Sequence, residues 1–167
     1  MADFAPLHWP DDCAQVLRLC EKARDYVQLE TGADPDPAYV KETMTEAPES
    51  VPPDQVWVWG HKGPDGDLDG IVTCLKGYHD AHDWYLGLLL LDPQARGAGL
   101  GARMAQHVMD QARADNAACL RVAILDTNSG ARRFWQRLNF VHEFSTSAGD
   151  GQLRHIHRLH FKQEPLQ

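Results

Sequence analysis

Basic residues are scarce in this chain of 167: 16 lysines and arginines stand against 24 aspartates and glutamates, a formal charge of −8. A nucleic-acid binder would usually carry a basic stripe, so that class is excluded. A negative surface serves solubility and is also compatible with a cationic small substrate. Cysteine pairs are lacking as well. Cys13, Cys20, Cys74 and Cys119 stand singly with no CxxC spacing, which predicts reduced, mostly buried thiols in the cytoplasm rather than a disulfide framework. The longest apolar run, residues 84–91, is far too short to cross a bilayer, so no membrane partner is expected. The opening "MADFAPLHWPDD" has no basic region followed by an apolar stretch, which predicts no signal peptide. Repeats, linkers and low-complexity segments are missing too. What remains is an ordinary globular composition, 43% hydrophobic and 24% charged, long enough for one domain with a real core over residues 1–167.

The hydrophobic pattern predicts a mixed α/β order. Residues 4–9 read as a short strand. Residues 10–32 read as one helix, with aspartate caps, an apolar stripe of Cys13, Val16, Cys20, Ala23 and Val27, and Gly32 to close it. A second helix starts at the Asp36 cap with Pro37 in its first turn. "DQVWVWGHK" and "LDGIVTCLKGY" pair across the hairpin turn "GPDGD". "WYLGLLLL" lacks polar alternation and is expected to be a strand covered on both faces. A helix over about 99–115, the strand "CLRVAILD", a helix capped by Asn128 or Ser129 and a closing hairpin complete the chain. This predicts seven strands and about four helices.

"LLLLDPQARGAGLGARM" raises the functional question, because a helix starts there among glycines, which are poor helix formers. First-turn N–H groups lack intrahelical partners and carry the positive end of the helix dipole. Gly97, Gly99 and Gly101 remove side chains where a phosphate would approach them, and permit positive φ. A tight strand-to-helix turn with close packing is the plain alternative. No GK pair exists, which excludes the GxxxxGK[ST] loop. "GAGLGA" fits the dinucleotide fingerprint, with Asp126 near the expected offset. Only about forty residues follow, however, and they end in an antiparallel hairpin rather than further βαβ units.

"QARGAGLG" resembles the Gln/Arg-x-x-Gly-x-Gly/Ala signature of the GNAT superfamily of N-acetyltransferases at Gln94, Gly97 and Gly99. "NSGARRFWQRLNF" is similar to the family's Asn-x-x-Ala-x-x-Phe-Tyr-x-x-x-Gly-Phe at Asn128, Ala131, Phe134 and Phe140, with Trp135 in place of the tyrosine and Asn139 in place of the glycine. The resemblance implies a central, mixed, mostly antiparallel sheet flanked by helices, with acetyl-CoA as cofactor and coenzyme A as product. It further implies that amides of Arg96, Gly97, Ala98, Gly99, Leu100, Gly101 and Ala102 wrap the pyrophosphate. Backbone groups of Leu89 and Leu91 would pair with the pantetheine arm, and Asn128, Phe134 and Trp135 would border the thioester.

Amide formation from an ammonium needs a base and a polarised carbonyl. By analogy with family bases near the start of the central strand, Asp83 and Tyr85 are the candidates, sharing one face unless a bulge intervenes; Glu143 is a weaker one. Trp135 has an indole N–H and no usable proton, so no general acid carries over from the family tyrosine. Tyr26, Leu29, Trp57, Trp59 and His157 are candidate walls of the acceptor cleft. The histidines of "HIHRLH" lack the three or four converging ligands of a metal site, and none is expected. The reading is acetyl transfer to a small-molecule primary amine. Transfer to a protein or peptide amine and a non-catalytic acyl-CoA sensor stay open beside it. A homodimer is compatible with the sequence, which fixes no oligomeric state.

Overall fold

The computed structural model describes residues 3–162. Strand β1 (Ala5–Pro6) is followed by α1 (Cys13–Lys22), α2 (Arg24–Thr31) and α3 (Pro37–Thr45). A meander of β2 (Val56–Lys62), β3 (Leu68–Lys76) and β4 (Asp83–Leu91) comes next. Helix α4 (Leu100–Ala114) crosses to β5 (Cys119–Leu125), and α5 (Ser129–Arg137) leads into the hairpin β6 (Val141–Ser147) and β7 (Leu153–His160). The seven strands form one sheet in the order β1-β2-β3-β4-β5-β7-β6. Only β4 and β5 run parallel, as a strand–helix–strand crossover requires; every other pair is antiparallel.

The predicted mixed sheet is there, with five α-helices rather than about four. The expected single helix over 10–32 breaks at Ala23, whose ψ of 33° leaves the helical range while its side chain stays fully buried. Val16, Cys20, Ala23 and Val27 all face the core across the break, so the apolar stripe gives no sign of it. The caps follow the sequence more closely. Asp36 accepts the Tyr39 amide at 2.7 Å with Pro37 at N1, and Gly32 closes α2 at φ 73°.

The sheet divides two cores. Trp84, Leu86, Met104, Val108, Trp135 and Phe140 pack on the face covered by α4 and α5. Val16, Leu19, Val27, Val40, Ile71, Leu88 and Leu90 pack on the face covered by α1–α3. Strand β4 changes its facing residues between these cores at a bulge. Cys74 pairs with Leu86 and Thr73 with Leu88, so Gly87 is the extra residue. Upstream, Trp84 and Leu86 point to the α4 face; downstream, Leu88 and Leu90 point to the α1–α3 face. The expectation of cover on both faces is therefore corrected: Gly87 is exposed, and Leu89 and Leu91 are only half-buried.

Candidate functional site

Strands β4 and β5 pair only from Asp83–Cys119 to Leu86–Val122 and then part. Beyond Leu86 the β5-facing edge of β4 has no strand partner. The gap is a cleft of about 700 Å³ with Leu88–Leu91 on one wall and Ala123–Leu125 on the other. Its mouth is the glycine turn. Gly97 and Gly99 adopt φ of 83° and 91°, and a Cβ at either would meet no protein atom within 4 Å. Protein packing does not demand these two glycines; the backbone conformation does, and the space beside them is open. Contrast Gly70, where a Cβ would come within 2.7 Å of the Met104 sulfur. Gly99 is the N-cap of α4 with no side-chain cap, so the first-turn amides remain available to an anion.

Of the residues expected to hold the cofactor, Leu89, Leu91, Arg96, Gly97, Gly99, Gly101, Ala102, Asn128, Phe134 and Trp135 all line this cleft. Ala98 and Leu100 do not: Ala98 is exposed in the turn, and the Leu100 side chain is buried in the core. Arg96 makes a two-pronged ion pair with Asp25 of α2 at 2.7 and 3.1 Å, and donates to the Leu91 carbonyl at 3.2 Å. Asn128 caps α5 by accepting the Ala131 amide at 3.1 Å. Trp135, 5% exposed, sits edge-on to Phe134 and Phe140 at 4.8 and 5.0 Å between centroids.

A second cavity of about 830 Å³ opens on the other side of β4 and shares Gly87 and Leu88 with the first. Glu30 of α2, Tyr39, Glu42 and Glu46 of α3, Tyr85 of β4, and Asp150 and Arg154 of the last hairpin line it. Among the described lining residues Arg154 is the single cation, and Asp150 engages it at 2.8 and 3.0 Å. Burial raises the Glu30 carboxyl above the ordinary range, against the Tyr39 and Tyr26 hydroxyls and Arg154, which pull it down. Burial, with Glu42 adding to it, also raises Glu46. The Tyr85 hydroxyl is pushed up to about 12 by burial and stays protonated at neutral pH.

None of these carboxylates was expected from the sequence. Tyr39, Glu42, Thr43 and Glu46 recur at helical spacing and read as a solvated face. Asp83 is elsewhere: its carboxylate accepts from Arg121 at 2.6 Å, Arg121 also donates to Glu143 at 2.8 Å, and neither acid lines either of the two cavities. Tyr26 and Leu29 line the cleft between β4 and β5. Trp57 and Trp59 stack at 5.7 Å on the α4 side of β2, while Val56 faces the second cavity. His157 is 2% exposed against His142, outside both cavities. Among the described residues no group of three or more His, Cys, Asp or Glu is arranged to hold a metal, and no helix is long and apolar enough to cross a membrane.

The family model described as Acetyltransferase (GNAT) family matches residues 16–140. Solved structures share the fold. An acetyltransferase from Thermus thermophilus superposes with a TM-score of 0.77 at 22% identity, over 95% of this chain and 96% of its own. The ribosomal-protein-S18-alanine N-acetyltransferase from Escherichia coli gives 0.71 at 15% identity, over 98% and 97%. The NatC complex bound to Gag peptide and CoA gives 0.67 at 12% identity, over 95% and 98%. A search of curated protein sequences returns no match.

Proposed function

The chain belongs to the acetyltransferase (GNAT) family, and from that premise we propose that it moves the acetyl group of acetyl-CoA directly to the primary amine of a small molecule. The observation that carries this reading is the meeting of two cavities at Gly87 and Leu88, one suited to the donor and the other rich in carboxylates. The donor side fits acetyl-CoA on three counts. A bare helix N-terminus faces open space at Gly97 and Gly99, Arg96 borders the same turn, and the free edge of β4 offers backbone groups of Leu89 and Leu91 to an amide-bearing arm. The acceptor side suits a cation, because Glu30, Glu42 and Glu46 lie there with no cation of their own beyond the paired Arg154.

Holding amine and thioester together across the Gly87 bulge supplies rate by orientation. Tyr85, kept protonated by burial, is suited to donating a hydrogen bond rather than accepting a proton. Asp83, tied to Arg121, is not proposed as the base. The reading treats residues 1–167 as one acetyltransferase domain. It places the enzyme in the cytoplasm, where the free thiols of Cys20, Cys74 and Cys119 stay reduced.

Acceptor-dependent thiol release from acetyl-CoA tests it, using simple monoamines and diamines, peptides with free N-termini, and lysine peptides. Turnover with small amines above the peptides is the expected result. Turnover with peptides alone transfers the proposal to a protein acceptor, and acetyl-CoA binding without turnover on any acceptor overturns it in favour of a sensor.

A further inference from the structure

Helix α2 lies across the junction of the two cavities. Its Tyr26 and Leu29 line the donor cleft, while Glu30, the next residue, lines the acceptor cavity. Glu30 is held from two sides. Its Oε2 accepts from the Tyr39 hydroxyl at 3.1 Å, and its backbone carbonyl accepts from the Gln152 side chain. The other acids of the cavity are differently placed: Glu42 and Glu46 are exposed on α3, and Asp150 is engaged by Arg154 and the Gln152 amide. We propose that Glu30 is the general base that takes the proton from the acceptor ammonium in the acetyl transfer proposed above, the reading on which this inference rests.

The acceptor enters as an ammonium. The Glu30 carboxylate takes one N–H proton and frees the lone pair that forms the C–N bond at the thioester carbonyl carbon. The C–S bond breaks with its electron pair on sulfur. The nitrogen loses a second proton and the sulfur gains one, so the sum is an amide, a thiol and one proton released through Glu30 to solvent. A base is more effective as its pKa approaches the operating pH. Burial moves Glu30 in that direction. The groups facing it are Tyr26 on its own helix, Cys20 on α1, Tyr39, Glu42 and Glu46 on α3, Tyr85 on β4, and Arg154 on β7 with its partner Asp150.

Glu30→Gln keeps the shape and the acceptor for the Tyr39 hydroxyl. It is expected to bind acetyl-CoA as the wild type does by calorimetry, to lose roughly 10²–10⁴-fold in kcat/KM for the amine at neutral pH, and to lose the acidic limb of its pH profile. Tyr39→Phe removes a donor that favours the charged carboxylate, so its acidic limb should move to higher pH. Titration of ¹³C-glutamate-labelled apo protein should show a carboxyl raised to the pH of that limb that Glu30→Gln lacks, while the raised Glu46 signal stays in both. A Glu30→Gln enzyme within tenfold of wild type, or one that keeps the limb, overturns the assignment. A wild type that releases no thiol with any amine overturns the transferase reading, and the base with it.

Discussion

Alanine at position 99 separates two reasons for a glycine. Gly99 has φ of 91°, and an added Cβ would meet no atom of the protein within 4 Å. The cost of Gly99→Ala to the apo fold is therefore backbone strain alone, about 1–2 kcal/mol. Unfolding entropy of about 2.1 cal/mol/K per residue amounts to roughly 350 cal/mol/K for this chain, so Tm should fall by about 3–6 °C. The methyl would stand in the open space at the N-terminus of α4, where a phosphate has to approach the amides. Acetyl-CoA affinity should drop tenfold or more, about 1.4 kcal/mol. The assay is a melt of each protein with and without acetyl-CoA, backed by calorimetry. Wild type at a hundredfold over its Kd should gain about 2.7 kcal/mol from the ligand. Gly101→Ala is the control for the strain argument, because its Cβ would rest 3.5 Å from Leu91 and Phe134, ordinary contact, and alanine suits a helix. It should leave the apo Tm unchanged or raised. A Gly99→Ala protein that melts lower but binds acetyl-CoA as tightly as wild type would refute the phosphate seat and leave the glycine a purely conformational role.

Trp135→Phe should cost roughly 1–2 kcal/mol of stability through lost packing against Phe134 and Phe140. It should raise KM for acetyl-CoA with little change in kcat. A hundredfold fall in kcat, about 2.7 kcal/mol, with intact binding would instead put the indole N–H in the transition state. Asp83→Ala should destabilise by about 2 kcal/mol in urea melts at neutral pH, because Arg121, whose side chain is only 12% exposed, loses one of its two carboxylate partners and keeps Glu143. Against the burial that raises it, hydrogen bonding to Arg121 holds the Asp83 carboxyl below its ordinary range. That contribution is complete above the unfolded value and lost as pH falls through the lower folded one, so wild type and variant should converge below about pH 4. Equal stability at pH 7 would dismiss the pair as decorative. In the native state a thiol reagent should titrate Cys13 alone, since Cys20, Cys74 and Cys119 are buried; rapid reaction of a second thiol would contradict that burial.

Local signals were legible in the sequence where the physics is local. Asp36 with Pro37, Gly32 and the glycine turn each declare themselves within a few residues and are found as read, and of the two cap candidates Asn128 and Ser129 the structure uses Asn128. The break at Ala23 was not legible, since alanine is a good helix former and the stripe continues through it. Four leucines in a row look the same whichever face each takes, so the bulge at Gly87 could not be seen. It decides which leucines face which core. Trp57 and Trp59 share a face as alternation requires, but nothing local says which face is the acceptor's. The carboxylate-lined cavity joins α2, α3, β4 and the β6–β7 hairpin, segments that approach only in the fold. Asp83 stood as a candidate base from its place at the start of the central strand, and its ion pair with Arg121, 38 residues away, could not be read there.

The short parallel pairing of β4 with β5 also fixes where the cleft closes. Four residue pairs join the arms, and β4 runs five residues further to Leu91. At about 3.3 Å per residue that stretch is roughly 16 Å long, held on one edge by β3 from Leu88 to Leu91 and open on the edge towards β5. Arg121 pairs opposite Tyr85 within that joint and ties Asp83 to Glu143 there. The closed end of the cleft is thus braced by side chains that line neither cavity.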